Sequence, residues 1–395
     1  MNFLIESIHS IAEQNLKFCQ QASAKKALAW RKKMKRRNIV TNREREKQTL
    51  NFGKPEFRGT VAETFYPWDL TIARFLMEGM PKEIAKGIKD IEEDTIEEYL
   101  IATWGRGIMD YERYLSFDSV MRIPFMLPFR HREEKKVIQT AEDWKQLKDH
   151  ARRELEHYYS DEQIEKAYRP LKEEHDKGDY SIRLNIEGFF WVPRELLGIE
   201  EHLYAFYDEP ELLHDINAFV LEIYQTKLMK IIDILQPDVV YLMEDLSGKN
   251  GPMISGALID EYMGTYYRQL IPMLKEHGVG NVFVDTDGDF AQVIPNFLKA
   301  GVDGFLPMDV NAGMDIVKTR RDFPNLKFIG GFNKLMIAKG PEAINEEFER
   351  ILPVIRGGGY IPGSDHQVAP STSLTNYKYY VKRLHEVMAQ AGADL

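Results

Sequence analysis

From residue 181 onward the chain alternates short apolar runs with helical stretches at a regular spacing, and this alternation most narrows the fold. The runs at 182–186, 238–243, 279–284, 302–306, 327–330 and 359–362 read as buried strands. Helical patterns at 210–235, 255–277, 289–300, 315–322 and 340–354 lie between or beside them, and a last one at 376–390 is expected to close the domain. Strand–helix alternation with short connections specifies a parallel sheet. With a first strand at 59–65 the count is seven, one short of a (β/α)8 barrel, so an α/β TIM-type barrel is the expected fold. No GxGxxG turn follows the first strand, which argues against an open dinucleotide-binding sheet.

Two regions stand outside this pattern. Residues 1–48 hold twelve Lys and Arg against four Glu, a balance of +8 in a chain whose net charge is −10. This reads as an N-terminal basic helical arm over 1–55 that packs on the barrel or on a second subunit; no nucleic-acid-binding motif accompanies it. The stretch at about 135–180 is strongly charged with helical spacing and reads as an exposed helical insertion in the barrel domain, 56–395. Between these, the aromatic-rich pieces at 99–104 and 114–129 are expected to form short antiparallel strands or a covering hairpin.

Composition sets the compartment. With one cysteine, Cys19, the chain has no disulfide framework of its own. No apolar stretch approaches the roughly 20 residues that cross a bilayer, and the first residues carry acids in a helical pattern, unlike a secretory leader. A cytoplasmic protein without membrane or nucleic-acid partners is the expectation.

The chemistry lies at the strand ends. The strand at 279–284 runs into Asp285-Thr286-Asp287-Gly288, and the one at 359–362 into Gly363-Ser364-Asp365-His366. The other strand ends offer Glu63, Glu187, Glu244 with Asp245, Asp309 and Asn333. Clustered carboxylates beside a low-dielectric cavity call for cations, protons or hydroxyl-rich ligands. Asp289 and Asp315 read instead as helix caps. His366 alone among the ten histidines follows a buried strand in a glycine-rich turn, where an imidazole ligates a metal or acts as a general acid. Asp285, Asp287 and His366 form an oxygen-rich set suited to a divalent ion such as zinc, manganese or magnesium. Phe189, Phe190 and Trp191, with Tyr66, Trp68, Trp104 and Tyr360, are candidates for the wall of a flat apolar pocket.

Three segments, GFFWVPRELLGIEEHLYAFYDEPELLHDI, VVYLMEDLSGKNGPMIS and GGGYIPGSDHQVAPSTSLTNYKYYV, resemble the uroporphyrinogen decarboxylase superfamily. That superfamily has a (β/α)8 fold and also contains corrinoid-dependent methyltransferases. The resemblance runs from about Glu63 to the C-terminus, outside the arm and the insertion. The Arg-rich N-terminal segment by which true decarboxylases grip their substrate is missing. The His-x-Cys-Gly turn of the thiol-methylating branch is replaced by Asp285-Thr286-Asp287-Gly288. What the resemblance implies is the branch that demethylates aryl methyl ethers or methylamines and passes the methyl group to a corrinoid (cobalamin) on a partner protein. In that reading His366, Asp285, Glu187 and Glu244 are catalytic, and a homodimer is expected. Glu63, Phe190, Trp191, Asn250, Asp309 and Tyr360 contact the substrate, while Asp285, Asp287 and His366 hold any metal. A tetrapyrrole carboxy-lyase is the alternative, favoured if Arg106, Arg113, Arg122, Arg130 and Arg132 converge on the pocket. A barrel that binds a corrinoid or tetrapyrrole without chemistry is the third.

Overall fold

The computed structural model describes residues 40–53, 58–84, 103–128 and 138–393. Residues 42–395 form one compact unit. Up to residue 39 the basic arm lies outside the described residues. Among the described residues nine strands occur: β1 (Val120–Pro124), β2 (Ser181–Glu187), β3 (Val239–Met243), β4 (Ser247–Gly248), β5 (Gly251–Pro252), β6 (Asn281–Asp285), β7 (Gly304–Leu306), β8 (Lys327–Phe332) and β9 (Tyr360–Ser364). Seven of them build one curled parallel sheet in the order β1-β2-β3-β6-β7-β8-β9, while β4 and β5 pair as a small antiparallel ribbon. Spatial order follows chain order, as crossovers of constant hand produce. The outcome is a TIM-like α/β barrel whose sheet does not close fully.

Two expectations change. Residues 120–124 are a parallel barrel strand, in register with β2 (Met121↔Ile182, Arg122↔Arg183), rather than part of an antiparallel hairpin. Trp104 belongs to the helix Thr103–Leu115 that precedes it. Conversely, residues 59–65 form no ladder. They fill the gap between β1 and β9 through one backbone bond and several side-chain bonds. Asp118 N donates to Val61 O at 2.7 Å, and Val61 N donates to Asp118 Oδ2 at 3.0 Å. On the other side Ser364 N and Oγ donate to Glu63 Oε1 at 2.7 and 2.9 Å, and Tyr377 donates its hydroxyl to Glu63 Oε2 at 2.8 Å. Thr64 packs so tightly on Gly363 that a Cβ there would overlap its hydroxyl. Carboxylates thus replace the missing ladder and satisfy the edge groups that an open sheet leaves bare.

The expected insertion holds two helices, Ala141–Tyr158 and Asp161–His175, that make the crossover from β1 to β2. Thr140 and Asp143 start the first with a reciprocal capping box, and Ser160 caps the second. Their charged faces meet solvent, but Trp144, Ala151, Leu155, Ile164, Tyr168 and Leu171 are buried in the core. They are therefore packed barrel helices and not an exposed addition. Among the described residues no helix is long and apolar enough to cross a membrane.

The inner face of the barrel is layered. At the bottom Leu50, from the helix Asn42–Leu50, packs with Val120, Val239, Phe283, Leu306, Ile329 and Ile361. Above this apolar plug the strands turn inward the polar residues Arg122, Arg183 and Asn185, because alternate residues of a strand face opposite sides. Glu46, on the same plugging helix, accepts from Arg183 Nε at 2.9 Å and Nη2 at 3.0 Å.

Glu63→Ala removes the acceptor that closes the barrel and leaves the Ser364 and Tyr377 donors buried and unmade. We expect a loss of roughly 1–3 kcal/mol in urea unfolding, partly recovered in Glu63→Gln. An unchanged midpoint in the alanine variant would rule out this closing role.

Candidate functional site

A cavity of about 380 Å³ lies at the C-terminal end of the barrel strands, where parallel α/β barrels place their active sites. Its upper wall carries Asp245, Asp285, Asp287, His366 and Gln367, its floor Arg122, Arg183, Asn185 and Tyr241, and its sides Phe65, Tyr66, Met126 and Met243. The upper wall and the floor thus carry side chains of opposite charge, acidic above and basic below.

Asp285 is the last residue of β6, opposite Met243 of β3 and Leu306 of β7. Its carbonyl accepts from Glu244 N at 2.9 Å, which folds the β3 end over it. Burial, and then the neighbouring Asp287 and Asp245 charges, hold its carboxyl well above the usual carboxylate range. Asp287 and His366 are half-buried and paired, with His366 Nε2 3.3 Å from Asp287 Oδ2. The imidazole also leans on Phe65, ring centres 5.4 Å apart. Asp245 takes a left-handed backbone (φ 42°), which Asp tolerates better than most residues. Arg194 Nη1 holds it there by donating to its carbonyl at 2.7 Å and its carboxylate at 3.3 Å.

Three of the sequence-derived site residues, Asp285, Asp287 and His366, therefore meet in one cavity. Asp245 and Tyr66, also singled out in the sequence, line it too, whereas the candidates described next do not. Glu244 accepts from the amides of Phe189, Phe190 and Trp191 at 3.1, 2.8 and 3.0 Å and from the Tyr267 hydroxyl. It clamps the start of the helix Trp191–Leu197, and burial pushes its carboxyl up to about 7. Gly188 makes room for it, since a Cβ there would overlap the carboxylate. Glu187 ends β2, and its carbonyl accepts from the Tyr224 hydroxyl at 2.5 Å. Asp309 caps a short turn through the amides of Asn311 and Ala312. Glu63 closes the barrel, and Tyr360 donates to Gly330 O at 2.7 Å inside the core. Phe190 stacks with His202 and Phe206, Trp191 packs under Arg194, and Asn250 is exposed at the ribbon turn. Asp365 is a buried brace as well, accepting from Lys334 N at 2.9 Å and Val310 N at 3.1 Å, with its carboxyl raised to about 6 by burial.

The aromatic wall is supplied by Phe65, Tyr66 and Tyr241 instead of the 189–191 run. Of the five arginines that would favour a carboxy-lyase, Arg122 lines the cavity and Arg113 pairs with Asp110 at 2.9 Å. Arg130, Arg132 and the Arg106 side chain lie outside the described residues. Among the described residues no three His, Cys, Asp or Glu side chains are grouped so as to hold a metal ion. Sequence reasoning missed Arg183, Asn185 and Tyr241. The signal was present in Ser181-Ile-Arg-Leu-Asn-Ile-Glu187, whose strict polar–apolar alternation marks a strand with one polar face.

The family model for uroporphyrinogen decarboxylase (URO-D) matches residues 133–387, well over half the chain. The chain belongs to the uroporphyrinogen decarboxylase family. Among solved structures, this family member is similar to a methyltransferase from Methanosarcina mazei, with a TM-score of 0.55 at 12% identity over 88% of this chain and 99% of that one. A Listeria monocytogenes structure named for a vitamin-B12-independent methionine synthase matches with a TM-score of 0.42 at 13% identity, over 86% of this chain and 98% of that one. No curated protein matches the sequence. The likeness to the Methanosarcina structure bears on the fold alone.

The Asp285 carboxyl binds its proton more tightly in the folded chain than in the unfolded one. Between the ordinary carboxylate value and the raised folded value the native state holds the extra proton, so stability falls as pH rises through that window. Asp285→Asn should therefore unfold at higher urea than the parent at pH 7, with the advantage shrinking as pH falls through that window toward the free carboxylate value of about 3.9. A difference that does not vary with pH would contradict the buried, proton-holding state.

Proposed function

We propose that this family member is a methyltransferase that demethylates a small methyl donor, of the aryl methyl ether or methylamine type, and passes the methyl group to a corrinoid protein. The observation that carries this reading is the joining of Asp285 and the Asp287–His366 pair in one cavity beside Phe65, Tyr66 and Tyr241. Breaking an ether C–O bond leaves an oxygen that must gain a proton, and a half-buried carboxylic acid at the strand end is placed to give it. Asp285 donates to the leaving oxygen as that bond breaks and is left as a carboxylate. His366, oriented by Asp287 and nearer solvent, returns the proton. The corrinoid on the partner protein supplies the nucleophile that takes the methyl carbon.

The cavity size supports a one-ring substrate. At about 380 Å³ it sits near the small end of the 300–1,000 Å³ range of small-molecule sites, and a tetrapyrrole with eight carboxylates would face three acids at the mouth. The segments that follow the strand positions carry exposed apolar side chains, Trp68 and Leu70 after 59–65, Met253 after β3 and Leu335 after β8. Such side chains on the rim suit a protein that covers the mouth.

Turnover with a reduced corrinoid protein and aryl methyl ethers or methylamines is the test. Asp285→Asn and His366→Ala should each lower kcat by roughly 10²–10⁴-fold, the usual share of general acid catalysis, with unfolding still cooperative. Parent-level turnover in both variants would refute the assignment. Release of CO2 from a porphyrinogen, with no methyl transfer, would return the carboxy-lyase reading.

A further inference from the structure

The floor of the cavity holds three hydrogen-bond donors with nothing to donate to. Arg183, 1% exposed, gives Nε and Nη2 to Glu46 and leaves Nη1 without a partner. Arg122, its register neighbour on β1, gives Nη1 to Glu112 at 2.6 Å and Nη2 to the Glu63 carbonyl at 2.8 Å, and leaves Nε unmade. Tyr241, 5% exposed on β3, has no partner for its hydroxyl. All three line the same cavity as Asp285 and His366. Folded chains leave few buried polar groups unpaired, and such groups gather where a ligand completes them. Three in one floor, all able to donate, ask for an acceptor.

We propose that Arg122, Arg183 and Tyr241 form an oxyanion subsite that takes the carboxylate of the substrate, so that the methyl donor is a small methoxy- or methylamino-substituted acid. Charge decides between candidate anions. Each arginine is already matched by a carboxylate, Glu112 or Glu46, so the floor is not a bare dication. With no full positive charge left over, a phosphate at about −1.5 to −2 at pH 7 is disfavoured more than an anion of one charge, which the free N–H and O–H donors can hold. A carboxylate brings one charge and two planar oxygens, enough to accept from all three donors. The acidic mouth repels that end and leaves it only the floor, which turns the methyl-bearing end toward Asp285. Tyr241 links the two halves, since both arginines and Asp285 act electrostatically on its hydroxyl.

The subsite stands on the three donors; that its occupant is the methyl donor rests on the function proposed above. The experiment separates them. Calorimetric titration of the full chain with 4-methoxybenzoate and with 4-methoxybenzamide should show the acid binding at least tenfold more tightly. Tyr241→Phe, which deletes a hydroxyl bonded to nothing in the protein, should keep its fold and weaken the acid roughly tenfold, about 1.4 kcal/mol, while leaving the amide unchanged. Tight acid binding lost in Tyr241→Phe, without methyl transfer to a corrinoid protein, upholds the subsite and removes the methyltransferase. Equal binding of acid and amide, no binding of the acid, or a Tyr241→Phe affinity equal to the parent overturns the subsite, even if neutral methyl ethers turn over.

Discussion

The buried pair between Glu46 and Arg183 is the interaction on which the barrel interior depends. An arginine inside a barrel is tolerable only when a carboxylate reaches it, because an unpaired buried charge costs several kcal/mol. Glu46 reaches it from below, on the helix that also plugs the barrel with Leu50. The same carboxylate accepts from Ser181 Oγ at 2.8 Å, so one side chain ties the plug to the start of β2. Two guanidinium nitrogens are thereby fixed, and the third is left without a partner on a residue that lines the cavity. The pocket floor is a consequence of how the barrel bottom is sealed.

Closure of the wall follows the same logic with opposite partners. Where an eighth strand would pair, Asp118 and Glu63 bond the chain to β1 and β9 one group at a time. Asp118 is itself held by Arg45 and Arg58, at 3.0 and 2.7 Å. These guanidinium groups keep its carboxyl below the usual range against the cost of burial. Glu63 has no such cation, and burial raises its carboxyl despite four hydrogen-bond donors. The two sides of the seam therefore differ in charge as well as geometry.

At the mouth the acids divide by what they meet. Glu244, Asp309 and Asp365 face backbone amides at the starts of neighbouring helices and turns, and are consumed as braces. Asp245, Asp285 and Asp287 face the cavity. Desolvation first, and then the charges of Asp287 and Asp245, raise the Asp285 carboxyl and favour its protonated form. A carboxylic acid held neutral beside a half-exposed imidazole is suited to proton transfer, and the placement of Arg122 and Arg183 beneath it gives the cavity a direction.

The sequence by itself determined the parallel barrel, most of its strands, and the two turns that carry Asp285, Asp287 and His366, because strand periodicity and strand-end position are local properties. It also carried the resemblance that the family match bears out. Tertiary structure alone decided three further matters. It put β1 at 120–124 and left 59–65 without a ladder, since pairing depends on which neighbour lies alongside and not on the propensity of a short run. It turned Glu244, Glu63 and Asp309 away from the cavity, because backbone amides reached each carboxylate first, from distant segments for Glu244 and Glu63 and from its own turn for Asp309. And it joined Arg122, Arg183 and Tyr241 into one floor, three residues far apart in the chain whose nearness comes only from the register of adjacent strands.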